Sequence, residues 1–201
     1  WTHELLLTVF EKVQKRISCV RQSEQESLKA DLSLSQNDLF MCFKVLEYVI
    51  ENPSQMTLMT QTDKDEEELI LELQALVKDF IESFPVQTLE TMKTTSYFIP
   101  FMACYCSLSV KLFKSLEVSL SHLKEEHNTT LLDEETSEKL QQYFNLAIRQ
   151  LSLLTQFSIR PQIPEDSSDL VHEICIFLIS LWWYGEQTCL RRVVEDPEIL
   201  K

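Results

Sequence analysis

Residues 137–157 read SEKLQQYFNLAIRQLSLLTQF, and the spacing of the apolar positions in this stretch decides the fold. On a wheel of 3.6 residues per turn, Leu140, Phe144, Ala147, Leu151 and Leu154 form one stripe. Leu146, Leu153 and Phe157 form a second, more than about 100 degrees away around the axis. A helix with two dry sides has to be covered twice. Either it lies between neighbours of its own chain, as the inner layer of a helical stack requires, or the second stripe docks another chain. Leu146, Leu153 and Phe157 are therefore candidate protein-binding residues.

The rest of the chain repeats helical patterning in both directions. Towards the C-terminus, Pro161 and Pro164 mark a loop, and a long helix is expected over Ser168–Tyr184, followed by Gly185 as the left-handed residue that commonly closes a helix. Towards the N-terminus, Phe101, Tyr105, Leu108, Leu112, Leu116 and Leu123 predict a long helix from Pro100 to near His127, after a shorter segment at Val86–Ile99. Thr62 and Asp63 open another helix, with Asp65, Glu66, Glu67 and Glu68 on the first turn, where the positive end of the helix dipole favours them. Its Leu69, Leu73, Leu76, Phe80 and Phe84 fall within about 80 degrees of one another, and Pro85 ends it. Ser35 and Asp38 read as a capping box for a helix with dense apolar content over Leu39–Ile50, terminated by Asn52-Pro53. Leu6, Phe10, Val13, Ile17 and Val20 predict a first helix at Thr2–Arg21, its outer face carrying Glu4, Glu11, Lys12 and Lys15.

Helices beginning near positions 2, 36, 100, 134 and 168 suggest a unit of about 34 residues, yet neither the tetratricopeptide nor the ankyrin signature occurs. The expected architecture is a single all-α domain over residues 1–201. It is a stack of about seven or eight long antiparallel helices, either a HEAT-like or irregular α-solenoid segment or a compact bundle. The start at Trp1 and the Asp196-Pro197 helix-opening signal near the other end suggest a piece of a longer helical protein.

Composition narrows the function classes. The chain of 201 residues has one glycine, Gly185, which excludes glycine-rich phosphate loops and dinucleotide fingerprints. Lys and Arg number 18 against 32 Asp and Glu, for a formal charge of −14, so the average field repels nucleic acid. The densest apolar run, Ile174–Tyr184, is about half the length that spans a bilayer, so no membrane insertion is expected.

The six cysteines, Cys19, Cys42, Cys104, Cys106, Cys175 and Cys189, lie in apolar or amphipathic runs without zinc-site or redox spacing. Reduced, mostly buried thiols and an intracellular address, nuclear or cytoplasmic, follow as expectations. Cys104 and Cys106 stand about 200 degrees apart on a helix and cannot bridge while it persists. A competing reading is a secreted four-helix cytokine-like ligand, which would pair its cysteines and carry glycan at Asn128-Thr129-Thr130.

Of His3, His122, His127 and His172, only His172 has metal-like company, Cys175 three residues on with Glu173 adjacent; two ligands do not make a zinc site. Neither metal, cofactor nor small-molecule substrate is expected, and no hydrolase or metalloprotease motif occurs. An all-α enzyme or enzyme regulator would need a concave pocket with convergent polar groups. Lys12, Lys15, Arg16 and Arg21 read as a solvated basic face, as do Arg191 and Arg192.

Two further features supply candidate protein-binding residues. Leu71 sits among Glu67, Lys78 and Glu82 on the polar side of its helix. Trp182, Trp183 and Tyr184 cover most of a helix circumference and cannot all face one core. Either a following helix at Glu186–Glu195 covers them or a partner does. The function expected from sequence is a non-enzymatic helical scaffold or adaptor that holds other protein subunits through apolar helix faces with an acidic rim.

Overall fold

The computed structural model describes residues 3–23, 35–54, 66–126, 134–157 and 164–185. Among them the chain is all-α, with no strand. The helices are α1 His3–Ser23, α2 Gln36–Glu51, α3 Glu66–Glu82, α4 Val86–Met92, α5 Phe98–Glu126, α6 Glu134–Gln156 and α7 Pro164–Gly185.

Local chemistry sets the boundaries. Before α2, the Ser35 hydroxyl accepts the Asp38 N–H at 3.2 Å and donates to Asp38 Oδ2 at 2.8 Å, so the expected capping box forms. At its other end the Asn52 N–H reaches the Tyr48 carbonyl at 3.1 Å, its side-chain amide donates to the same oxygen at 2.9 Å, and Pro53 follows. Pro85 separates α3 from α4 with an extended backbone. Two other prolines belong to the first turns of helices and not to the loops before them. Pro100 is the third residue of α5, and Pro164 is the first of α7, which therefore begins four residues before the expected Ser168. Both are in a first turn, where the missing N–H would have no intrahelical acceptor and the fixed φ suits the helix. Gly185 is the last residue of α7. The expected opening at Thr62-Asp63 and the expected helix at Glu186–Glu195 lie outside the described residues.

Helix contacts order α1, α2, α5 and α7 as a row, each packed on the next, with α3 laid against α1, α2 and α5, and α6 against α3 and α7. A lysine–carboxylate pair spans each junction of the row: Lys12 with Asp38 between α1 and α2, Lys111 with Glu51 between α2 and α5, and Lys114 with Glu173 at 3.7 Å between α5 and α7. Such partly exposed pairs contribute little stability but disfavour slipped registers. The core of the row is aromatic. Phe43 of α2 meets Phe80 of α3 at 5.2 Å and Phe101 of α5 at 5.4 Å between ring centroids, and Phe84 meets Phe101 at 5.1 Å, all edge to face. This geometry sets the positive edge of one ring against the negative face of the next.

The two stripes of α6 are resolved by this arrangement. Leu140, Phe144, Ala147 and Leu154 of the first are buried and Leu151 is half-buried, while Leu146, Leu153 and Phe157 of the second are also buried. Phe157 packs on Phe98 at the start of α5, 5.9 Å between centroids. The helix is enclosed by its own chain on both dry sides.

Candidate protein-docking surface

The candidate binding residues fall into three different settings. Leu146, Leu153 and Phe157 are at most 2% exposed, so a partner could reach them only by prising the chain apart. Trp182, Trp183 and Tyr184 occupy the last turn of α7, three to five residues after Ile179, which is 58% exposed; their side chains lie outside those described. Leu71 is 49% exposed on the outer face of α3.

That face is built by the same periodicity that buries the inner one. Leu69, Leu73, Val77, Phe80 and Ile81 point into the core, which leaves Glu67, Glu68, Leu71, Glu72 and Ala75 exposed and Lys78, Asp79 and Glu82 half-buried. The helix holds six carboxylates and one lysine. Lys78 Nζ lies 3.2 Å from both Asp79 Oδ1 and Glu82 Oε2, so the one cation is matched within the helix. Leu71 and Ala75, one turn apart, thus form a small apolar line bordered by carboxylates. Tyr143 of α6 is buried along the same border, and burial, followed by Asp79 and Glu82, pushes its phenol above the ordinary value.

Several polar side chains of the interior hold helices together. Arg16 of α1, expected on a solvated face, is instead 2% exposed. Its Nη2 donates to the Ser83 carbonyl at 3.0 Å and its guanidinium lies 4.6 Å from the centre of the Phe84 ring. Loss of water lowers its pKa. Arg149 of α6 donates to the Phe84 carbonyl at 2.7 Å. Two cations from distant helices therefore meet the C-terminal end of α3, where unpaired carbonyls and the helix dipole favour positive charge. In the middle of α3, Gln74 donates to the Ser115 and Ser119 hydroxyls of α5, each at 2.9 Å. Gln150 of α6 donates to the Tyr105 hydroxyl at 2.9 Å, and burial pushes that phenol up to about 12.

Sequence reasoning missed Arg16 because it grouped the residue with Lys12 and Lys15 by charge. Its register carried the signal: it stands seven residues after Val9 and three after Val13, inside the buried stripe. The cysteines also depart from expectation. Cys42 and Cys106 are buried and Cys104 is half-buried, but Cys19 and Cys175 are exposed, Cys175 lying between the buried Ile174 and Phe177. Cys189, Asn128 and the Arg191-Arg192 pair lie outside the described residues.

His172 is exposed with Nδ1 3.4 Å from Glu173 Oε1, and that carboxylate also faces Lys114. Among the described residues no three metal-ligating side chains converge, and no helix is long and apolar enough to cross a membrane. No family model, curated protein or solved structure matches the chain.

Proposed function

We propose that the chain is a non-enzymatic, HEAT-like helical scaffold module that holds another protein subunit of an intracellular complex, and that the outer face of α3 is its principal contact. The observation that carries this reading is Leu71, a large aliphatic residue 49% exposed beside Ala75 on a helix face bordered by carboxylates. The exposed half of this leucine contributes no burial to the isolated fold, whereas a partner that covers it removes apolar surface from water at roughly 25 cal/mol per Å². The acidic surround disfavours nucleic acid and anionic membranes as the covering surface. Exposed Cys19 and Cys175 thiols suit a reducing compartment. Interior polar contacts support the same assignment, since buried Gln74, Gln150 and Arg16 and half-buried Arg149 each bond to another helix or its end.

The test compares tagged wild-type chain with Leu71→Ser after purification from cells, with folding checked by circular dichroism. A protein retained by the wild type and lost from the folded variant is the expected result. Equal recovery of every associated protein would overturn the proposal.

A further inference from the structure

The run from Lys12 to Ser23 carries four cations, Lys12, Lys15, Arg16 and Arg21, and neither Asp nor Glu, in a chain whose formal charge is −14. One cysteine lies within it. Cys19 is exposed on α1, and the residues one turn before it on the same side of the helix are Lys15 and Arg16. Lys15 is exposed. Arg16 is 2% exposed, its position fixed by the hydrogen bond to the Ser83 carbonyl and by the Phe84 ring. Its Nε is buried without an acceptor, and among the described residues no carboxylate pairs with the guanidinium. Burial lowers its pKa, and the charge that opposes this is that of Cys19. The sulfur is thus the ionisable group placed to balance this cation, which it does when it carries negative charge, as a thiolate attacking a disulfide does. The dipole of α1 acts in the opposite sense but falls off within the last turn, and Cys19 precedes that turn.

Cys175 of α7 is the internal contrast. It is exposed as well, but one turn before it stand Val171 and His172 and one turn after it Leu178 and Ile179, with neither Lys nor Arg among them. From this contrast we infer that Cys19 is a modification site for a small anionic disulfide of the oxidised-glutathione class, with Lys15 drawing the reagent's carboxylates and Arg16 standing as a fixed cation on the adjacent turn. In the step, the Cys19 thiol gives up its proton, its sulfur bonds to one sulfur of the reagent, and the reagent's S–S bond breaks. The leaving sulfur takes the electron pair and a proton and departs as the thiol. The disulfide is the oxidant: Cys19 ends as a mixed disulfide and half of the reagent is reduced.

The folded chain is treated separately with oxidised glutathione, neutral hydroxyethyl disulfide and cationic cystamine, and the rates at Cys19 and Cys175 are read by peptide mass spectrometry after an acid quench. The ratio of the two rates cancels the intrinsic reactivity of each reagent. It should be highest for oxidised glutathione and at least about tenfold lower for cystamine, and the difference should shrink as salt is raised. Lys15→Glu, at an exposed position, should lower the ratio for oxidised glutathione and raise it for cystamine. Arg16→Met, checked for folding by circular dichroism, should also lower the glutathione ratio, and Lys15→Glu alone decides if that variant does not fold. A ratio equal for all three disulfides, a ratio indifferent to either folded variant, or faster modification of Cys175 than of Cys19 by oxidised glutathione would overturn the inference.

Discussion

Leu153 and Leu71 are the same side chain in opposite surroundings, 2% and 49% exposed, and truncating each to alanine tests the division between core and surface. At Leu153 the change removes three buried carbons, worth about 2.4 kcal/mol at about 0.8 kcal/mol each. A cavity left on the enclosed side of α6 adds to this, because helices held by neighbours on two sides relax only partly, and the total should reach about 3 to 5 kcal/mol. At Leu71 the carbons removed are already half in water and leave no cavity, so the expected change is within about 0.5 kcal/mol. Urea unfolding followed by far-ultraviolet circular dichroism measures both. With an m-value near 2 kcal/mol per M, Leu153→Ala should lower the midpoint by about 1.5 M or more with m unchanged, and Leu71→Ala should barely move it. A small shift for Leu153→Ala would mean that the second stripe of α6 is open in solution. A large shift for Leu71→Ala would mean that the proposed contact is part of the core. Either result refutes the assignment of the two faces.

The remaining predictions concern the buried polar groups and the helix caps. Arg16→Ala should lose about 3 kcal/mol through its hydrogen bond to Ser83 and its packing on Phe84, whereas Arg16→Met, which keeps the stem and removes a desolvated charge, should lose less than half as much in the same urea assay. Burial raises the Cys42 thiol from 9.0 to about 11 and the Tyr105 phenol from 10.0 to about 12. The unfolded chain therefore releases these protons at lower pH than the folded one, and stability should be full below pH 9.0 and fall as pH rises through about 11 and then about 12. Urea midpoints across this range check the sign, and Cys42→Ala should remove the earlier part of the fall. Ser35→Ala, which deletes the acceptor for the Asp38 N–H, should lose about 1 kcal/mol of stability, with Ser35→Gly losing only a few tenths.

Local features of the fold were legible in the sequence because they depend on neighbours in the chain. The cap at Ser35 and the stop at Asn52-Pro53 need only residues within one turn. Proline was read less well: Pro164 marked a loop in sequence but opens α7, since a first-turn proline and a loop proline have the same local pattern. Cys175 was misplaced by averaging over an apolar run; Ile174 and Phe177 beside it are buried, and the register turns the thiol outward. The aromatic core could not be read at all, because Phe43, Phe84 and Phe101 come from separate segments and meet only after the row has formed. Nor could the arginine pair at the end of α3. The last turn of that helix has no cation of its own, and the residues that supply one are 67 and 65 positions away. At the candidate surface, Leu71 was legible because its exposure follows from helical register alone.

The apolar excess on α6 and the exposed leucine on α3 have different consequences for binding. A continuous uncovered stripe such as Leu146, Leu153 and Phe157 would have favoured a permanent partner, since surfaces of that kind behave like half of a core. With that stripe enclosed, the proposed contact on α3 consists of one aliphatic residue, a neighbouring alanine and a carboxylate rim. In such a contact the rim governs how often a charged partner arrives and the leucine governs how long it stays, because exposed charges act mainly on encounter and desolvated apolar groups on dissociation. The same division explains why the interior arginines do not add to the proposed contact. Held against the carbonyl end of α3 and shielded from water, Arg16 fixes the helix that presents the acidic face.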